Sequence, residues 1–298
     1  MLADLAWPIL SILAAIFSCG CLLTSQFFKE GGQYLVLMSR IFTLFAFIPI
    51  LFFIPWPTDY RFYGAVIITG ILVGYADTNM MNLTAKYGGG VVSRVLPLVI
   101  LMTFVFWLMI KPSQIFDYLE RPLQSLLTLL TLSGCVFFSS NMRHCAVSFD
   151  ALKKMIPTLI CFALNMALAK YAFGYSSFHS GVYYYILVQT ATVIPIMILL
   201  GTTSKKPFLK IDIKKLSQRN ILASGLLVSI FWILSMISKN YANTLTPNPS
   251  YVAALTMTVP VWMIVIYRII DHKDQTDAKS GIGLMICTIF LTLLTIKT

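Results

Sequence analysis

The stretch "GYADTNMMNLTAKYGGGVVSRVLPLVI", residues 74–100, joins two apolar runs through a polar and glycine-rich seam. Asp77, Asn79 and Asn82 close the first run, Gly88, Gly89 and Gly90 follow, and the second run opens on Arg94 and is interrupted by Pro97. An ionisable side chain within hydrocarbon costs roughly 2.5–3.5 kcal/mol on insertion scales, so each one there needs a partner or a polar cavity. A short antiparallel hairpin sets Asp77, about four turns into its run, near the depth of Arg94, about one turn into the next. Two readings follow: a charged pair or cavity wall that binds a polar substrate, and a structural salt bridge with Arg94 snorkelling to the interface.

Working outward, the same composition continues along the chain. Of 298 residues 58% are apolar and 11% charged, against roughly 25% charged in a soluble domain. Apolar runs fall near 6–27, 34–54, 62–83, 91–110, 123–140, 151–173, 181–201, 220–240, 250–270 and 281–296. Each is of the order of the 20 residues that a helix needs to cross about 30 Å of hydrocarbon. The fold class expected is an all-α, multi-pass integral membrane protein of ten helices, with little chain left for a soluble domain. The N-terminus "MLADLAW" has no basic segment ahead of the first run, which reads as a retained helix and not a signal peptide.

A net charge of +11 would point to nucleic acid in a soluble protein. Here it fits loops facing anionic lipid, so membrane lipid is an expected partner and nucleic acid is not. Six lysines and arginines (Arg61, Lys111, Arg121, Lys170, Lys239, Lys297) fall on the side of the termini and fourteen on the other, Arg40 and Arg94 lying within runs. The positive-inside rule then puts the termini outside. The longest connection carries "FLKIDIKKL", residues 208–216, read as a solvated basic loop with an interfacial amphipathic segment as the second reading.

Enzyme chemistry finds no foothold: HExxH, GxSxG and P-loop patterns are absent, and His144, His179 and His272 fall in loops or at run ends. The six cysteines lie mostly in apolar runs without paired spacing, as buried small hydrophobes do. Neither a metal site nor a cofactor is expected.

The chain also echoes itself. "GGGVVSRVLPLVI" (88–100) aligns with "YVAALTMTVPVWMI" from Tyr251, placing Pro97 on Pro260, and "NLTAKY" (82–87) precedes the first as "SKNYAN" (238–243) precedes the second. With five runs per half, two similar halves in tandem are necessarily inverted across the membrane. The expected division is 1–147 and 148–298.

These elements resemble the drug/metabolite transporter superfamily, and within it the ten-helix EamA-like branch. The resemblance rests on "LMSRIFTLFAF" with Arg40 opening the second helix, "TAKY" ending the third, and "GGGVVSRVLPLV" leading into a proline-bearing fourth. It continues in "YANTLTPNPSYVAALTMTVPVW" and the glycine-led last helix "DAKSGIGLMICTIFLTLL". The chain departs from the pattern where Lys111 and Pro112 follow the fourth helix in place of an acidic residue. The resemblance implies a secondary transporter cycling by alternating access, cytoplasmic termini in conflict with the charge count, and residence in a bacterial inner membrane.

It further implies a central cavity walled by helices 1, 3, 4, 6, 8 and 9. The polar residues nominated on them are Ser18, Thr24, Tyr75, Asp77, Asn79, Arg94, Asn165, Trp232, Ser235 and Thr256, with Gly88, Gly89, Gly90, Pro97 and Pro260 as gating or kink positions. Lys170 and Lys239 read as snorkelling, and "YYY" at 183–185 as an interfacial aromatic belt. The expected substrate is a small polar metabolite, an amino acid or derivative ahead of a nucleoside or S-adenosylmethionine-like compound. Asp77 is the candidate site for a coupling proton or ion, and the protein is expected as a monomer or homodimer. The alternative is a non-transporting membrane protein, a lipid-modifying enzyme or assembly subunit, whose intramembrane charges are structural.

Overall fold

The computed structural model describes residues 5–28, 32–87, 89–142, 147–203, 218–269 and 277–296, with Leu216. Among the described residues every regular element is helical. Nine helices among the described residues are long and apolar enough to cross a membrane: α1 (Ala6–Ser25), α2 (Gly32–Phe53), α3 (Tyr60–Thr84), α4 (Val91–Ile110), α5 (Pro122–Asn141), α6 (Phe149–Phe173), α7 (Phe178–Thr202), α8 (Arg219–Leu245) and α9 (Pro249–Ile269). A further apolar helix, α10 (Lys279–Thr295), is shorter. Large apolar side chains stand on the outer surface, Phe52 and Phe53 more than 80% exposed, as lipid and not water requires. The chain is a multi-pass integral membrane protein.

Local chemistry fixes the helix starts. Ser148 caps α6, its hydroxyl accepting from the Ala151 amide at 3.2 Å, and Asp150 complements the positive end of the dipole. Asn248 caps α9 by accepting from the Ser250 amide at 3.0 Å, with Pro249 at the first helical position. The "TPNPS" segment, residues 246–250, is therefore a helix start.

Proline divides two of the spans. In α4 a helix Gly89–Val95 meets a 3₁₀ turn, Leu96–Leu98, that contains Pro97, and resumes as Val99–Ile110. In α9 the helix Pro249–Thr256 ends at a turn over Met257 and Thr258 before Val259–Ile269, in which Pro260 is the second residue. Each proline lacks the amide that would continue the ladder. Gly89 and Gly90, nominated as gating or kink positions, open the helix Gly89–Val95, and Gly88 lies outside the described residues.

Packing follows a clear plan. α1 lies along α8 and also meets α9; α3 lies along α6 and α7; α2 rests on α7 and α8; α4 rests on α6; and α5 pairs with α10. The second part of α4 packs on the first part of α9, whereas no comparable packing joins Gly89–Val95 to Val259–Ile269 among the described residues. α3 approaches α7 through Gly70 and Gly74. A methyl group on Gly70 would meet Thr192 Cβ at 2.5 Å and the Gln189 carbonyl at 3.1 Å; one on Gly74 would meet Ile196 at 2.8 Å. That is the close approach small residues allow in lipid.

Two expectations need correction here. α8 does not end near residue 240 but continues to Leu245, because Asn240 and Asn243 are buried, the latter donating to the Met166 carbonyl at 3.4 Å. Tyr184 and Tyr185 are not an interfacial belt: both are fully buried, Tyr184 donating to the Ile54 carbonyl at 2.8 Å and Tyr185 to Asn165 at 2.9 Å. The link after α4 holds a short amphipathic helix, Ser113–Glu120, whose Ile115, Phe116 and Leu119 are exposed, the posture of an interfacial helix. The "FLKIDIKKL" segment lies outside the described residues, except for Leu216.

Candidate functional site

Midway along the bundle, seven helices converge on a cavity of about 280 Å³. Its charged wall is made by Arg40 of α2, Asp77 of α3 and Lys239 of α8, and its uncharged polar wall by Asn165 of α6, Gln189 of α7 and Thr256 of α9. Trp232 and the methionines Met80, Met166, Met236 and Met257 supply apolar surface, a lining that adapts to shape. Both broken helices reach it at their breaks, α4 through Leu96 and α9 through Thr256 and Met257.

Arg40 organises the charged wall. It is 6% exposed and donates from Nη2 to Asp77 at 2.8 Å, while its guanidinium carbon sits 3.9 Å from the centroid of the Trp232 ring, a cation–π contact. The expected partner of Asp77 was Arg94. Arg94 is instead half-buried at the start of α4 and lines no part of this cavity. Asp77 takes its cation from α2 instead, Arg40 at 2.8 Å.

The wall is not fully satisfied. Nε and Nη1 of Arg40 are buried without a hydrogen-bond partner, as is Oε1 of Gln189. Gln189 Nε2 donates to Asn165 Oδ1 at 2.8 Å, which also accepts from Tyr185, so the Asn165 amide is held in place with its carbonyl engaged. A buried polar atom left unpaired costs about 1–3 kcal/mol, more at a charged group, so these three atoms are open to a ligand or to water. Lys239 completes the wall. It sits inside α8 and not at an end, so it does not snorkel; the charged groups that act on it are Arg40 and Asp77.

No protein-family model matches the chain, and no curated protein matches it. Function is therefore read from the cavity's own chemistry.

Of the nominated residues, Asp77, Asn165, Trp232 and Thr256 come together at the cavity. Others turn elsewhere. The Ser18 and Ser235 hydroxyls lie 2.9 Å apart and both donate to the Ala14 carbonyl, joining α1 to α8. Thr24 donates to its own helix at Gly20 (2.8 Å), so α1, expected in the wall, contributes nothing to it. Asn79 donates to Thr158 at 2.7 Å and ties α3 to α6. Tyr75 is exposed on the outer face of α3.

Arg40, Gln189 and Lys239 were not nominated. Arg40 and Gln189 were legible as polar groups at mid-run in the second and seventh spans, helices left out of the expected wall. Among the cysteines, Cys19, Cys135 and Cys161 are buried as expected, and Cys145 lies outside the described residues.

At the end of the bundle where α1 starts lie two wider recesses of about 670 and 620 Å³, which share Lys170 and Thr244. Lys170 does not snorkel either: its ammonium donates to the Thr244 carbonyl at 2.9 Å. The first recess shares no lining residue with the central cavity. Around it the connections are knitted together. Trp107 donates to Gln114 (2.8 Å), Gln114 to the Pro247 carbonyl (2.9 Å), and Asn248 to the Tyr118 hydroxyl (3.1 Å), which lies 2.8 Å from that of Tyr251. Burial pushes the Tyr118 phenol above its ordinary range, with the Tyr251 and Asn248 hydrogen bonds acting against it.

Proposed function

We propose that this protein is a secondary transporter of a small polar organic metabolite, with the central cavity as its substrate site. The observation that carries this reading is a polar, charged cavity at mid-bundle reaching both Asp77 and Asn165. A dry bundle with every intramembrane charge paired would instead favour a structural protein, and the unpartnered Arg40 donors speak against that. Amino acids and their derivatives remain the favoured substrates: a carboxylate meets Arg40 and Lys239, and an ammonium meets Asp77.

The chain is further proposed as an EamA-like member of the drug/metabolite transporter superfamily, built from two inverted five-helix repeats, 1–147 and 148–298. Packing supports the repeat. Exchanging helix n of one half for helix n of the other turns the α1–α8 pair into α6–α3, α2–α8 into α7–α3, and α4–α6 into α9–α1, all of which pack. The pairs α2–α7, α4–α9 and α5–α10 map onto themselves, as pairs astride a two-fold axis do. The breaks at Pro97 and Pro260 correspond as well.

Alternating access then has a physical basis. α4 and α9 are packed together towards the end bearing the knitted connections and diverge towards the other. Rocking one repeat against the other about the two breaks would reverse that arrangement. The test is counterflow in proteoliposomes: vesicles loaded with unlabelled metabolite pools, with amino acids first, should accumulate labelled substrate transiently. Absence of exchange across amino acids, nucleosides and organic acids, with correctly inserted protein, would refute the reading.

A further inference from the structure

The charges around the cavity do not cancel. Arg40 and Lys239 face it with one positive charge each, and Asp77 is the single carboxylate among its described lining residues. Asp77 engages only Nη2 of Arg40, which leaves Nε and Nη1 of a guanidinium 6% exposed without an acceptor. Lys239 has no hydrogen-bond or ion-pair partner among the described residues, although Arg40 and Asp77 both act on it electrostatically. Two cationic heads with open donors thus share a space of about 280 Å³, near the lower end of the roughly 300–1,000 Å³ typical of small-molecule pockets.

We infer that the substrate is a small organic acid with one net negative charge, whose carboxylate is held between Arg40 and Lys239. A guanidinium offers a planar fork that matches a carboxylate, and an ammonium adds a point charge beside it. One excess negative charge neutralises the site. A neutral zwitterion leaves it at +1, and a phosphate monoester, at about −1.5 to −2 near neutral pH, overshoots. The acceptor Oε1 of Gln189, buried and unpartnered, takes a hydroxyl or ammonium on the same molecule, so hydroxy acids and acidic amino acids fit better than plain fatty acids. The apolar body lies against Trp232 and the methionines. This inference rests on the central cavity being a substrate site and narrows the class bound there.

Matched acid and amide pairs test it by binding alone. Purified protein is titrated with glutamate against glutamine and lactate against lactamide, following thermal stability, with glycerol phosphate as the phosphate arm. The expected result is stabilisation by the acids at least tenfold stronger in affinity than by their amides or by glycerol phosphate. Lys239→Gln should lose that preference while melting like the parent protein without ligand, since Lys239 holds no structural bond. Arg40→Lys, which keeps the charge but not the fork, should weaken acid binding at least threefold. Equal binding of glutamine and glutamate, or acid binding untouched in Lys239→Gln, overturns the charge assignment yet leaves a substrate site in place. Silence from every compound overturns it too, while the transporter reading itself falls only with a dry cavity or with the absence of counterflow.

Discussion

Arg40 and Asp77 face each other at 2.8 Å across α2 and α3, both nearly sealed from solvent, with the Trp232 ring covering the guanidinium. Breaking a buried pair strands a charge, at a cost of roughly 3–5 kcal/mol. Asp77→Ala or Arg40→Met should each lower thermal stability markedly. The double variant should recover most of the loss while remaining unable to bind substrate. Additive losses in the double variant would show that the pair is not coupled.

Gly70 and Gly74 set the distance between α3, which carries Asp77, and α7, which carries Gln189. Gly70→Val forces a branched side chain against Thr192 and the Gln189 carbonyl, and overpacking of this kind costs typically 1–3 kcal/mol. The variant is expected to melt earlier and to bind substrate less well, because Gln189 is displaced. Parental melting and binding in a purified Gly70→Val would contradict the close approach.

Several polar residues within the membrane serve helix association instead. Asn79→Ala removes the bond to Thr158, and Ser235→Ala the links to Ser18 and Ala14. Interhelical hydrogen bonds of this type average about 0.6 kcal/mol, so a small drop in melting temperature is expected. Substrate affinity should stay within about twofold of the parent, a difference of some 0.4 kcal/mol. A tenfold loss of affinity in either variant would return that residue to the binding site.

Tyr118, outside the membrane spans, ties the α4–α5 connection to α8–α9 through Asn248 and Tyr251. Its folded-state pKa is raised by burial, above the unfolded value of about 10. The stability it adds is therefore fully present below pH about 10 and lost as pH rises through the folded value. Tyr118→Phe should be less stable by about 1 kcal/mol at neutral pH for the lost hydrogen bonds. Melting curves taken across pH should show that gap closing in alkali, and a gap constant across pH would contradict the assignment.

Much of this was readable from the chain alone, for identifiable reasons. Spans follow from long apolar runs, and the breaks at Pro97 and Pro260 from a missing amide. Asp77 and Asn165 were legible because a polar group at mid-span needs a partner. What the runs do not encode is azimuth. Ser18, Thr24, Tyr75 and Asn79 are polar residues of spanning helices like those of the cavity, but point to a neighbouring backbone, to another helix or outward. Arg94 and Arg40 were both visible as intramembrane arginines, and choosing between them required knowing that α2 packs beside α8 at the cavity. Lys239 was misread because "SKNYAN" looks like the end of a span, whereas Asn240 and Asn243 bury their amides and carry the helix on. The Gly70–Gly74 spacing was in plain view as a small-xxx-small pattern and gains meaning only with α7 against it.

The most direct test of a solvated, substrate-accessible cavity needs no knowledge of the substrate. With the native cysteines replaced, Thr256→Cys and Met236→Cys place thiols on the cavity wall, and Ser235→Cys places one in the buried α1–α8 contact beside it. The protein is reconstituted in vesicles and exposed to a membrane-impermeant thiol reagent. The account predicts labelling of Thr256→Cys and Met236→Cys, slowed by a bound substrate, and none of Ser235→Cys. Cavity thiols as unreactive as Ser235→Cys would mean a dry bundle and would contradict it.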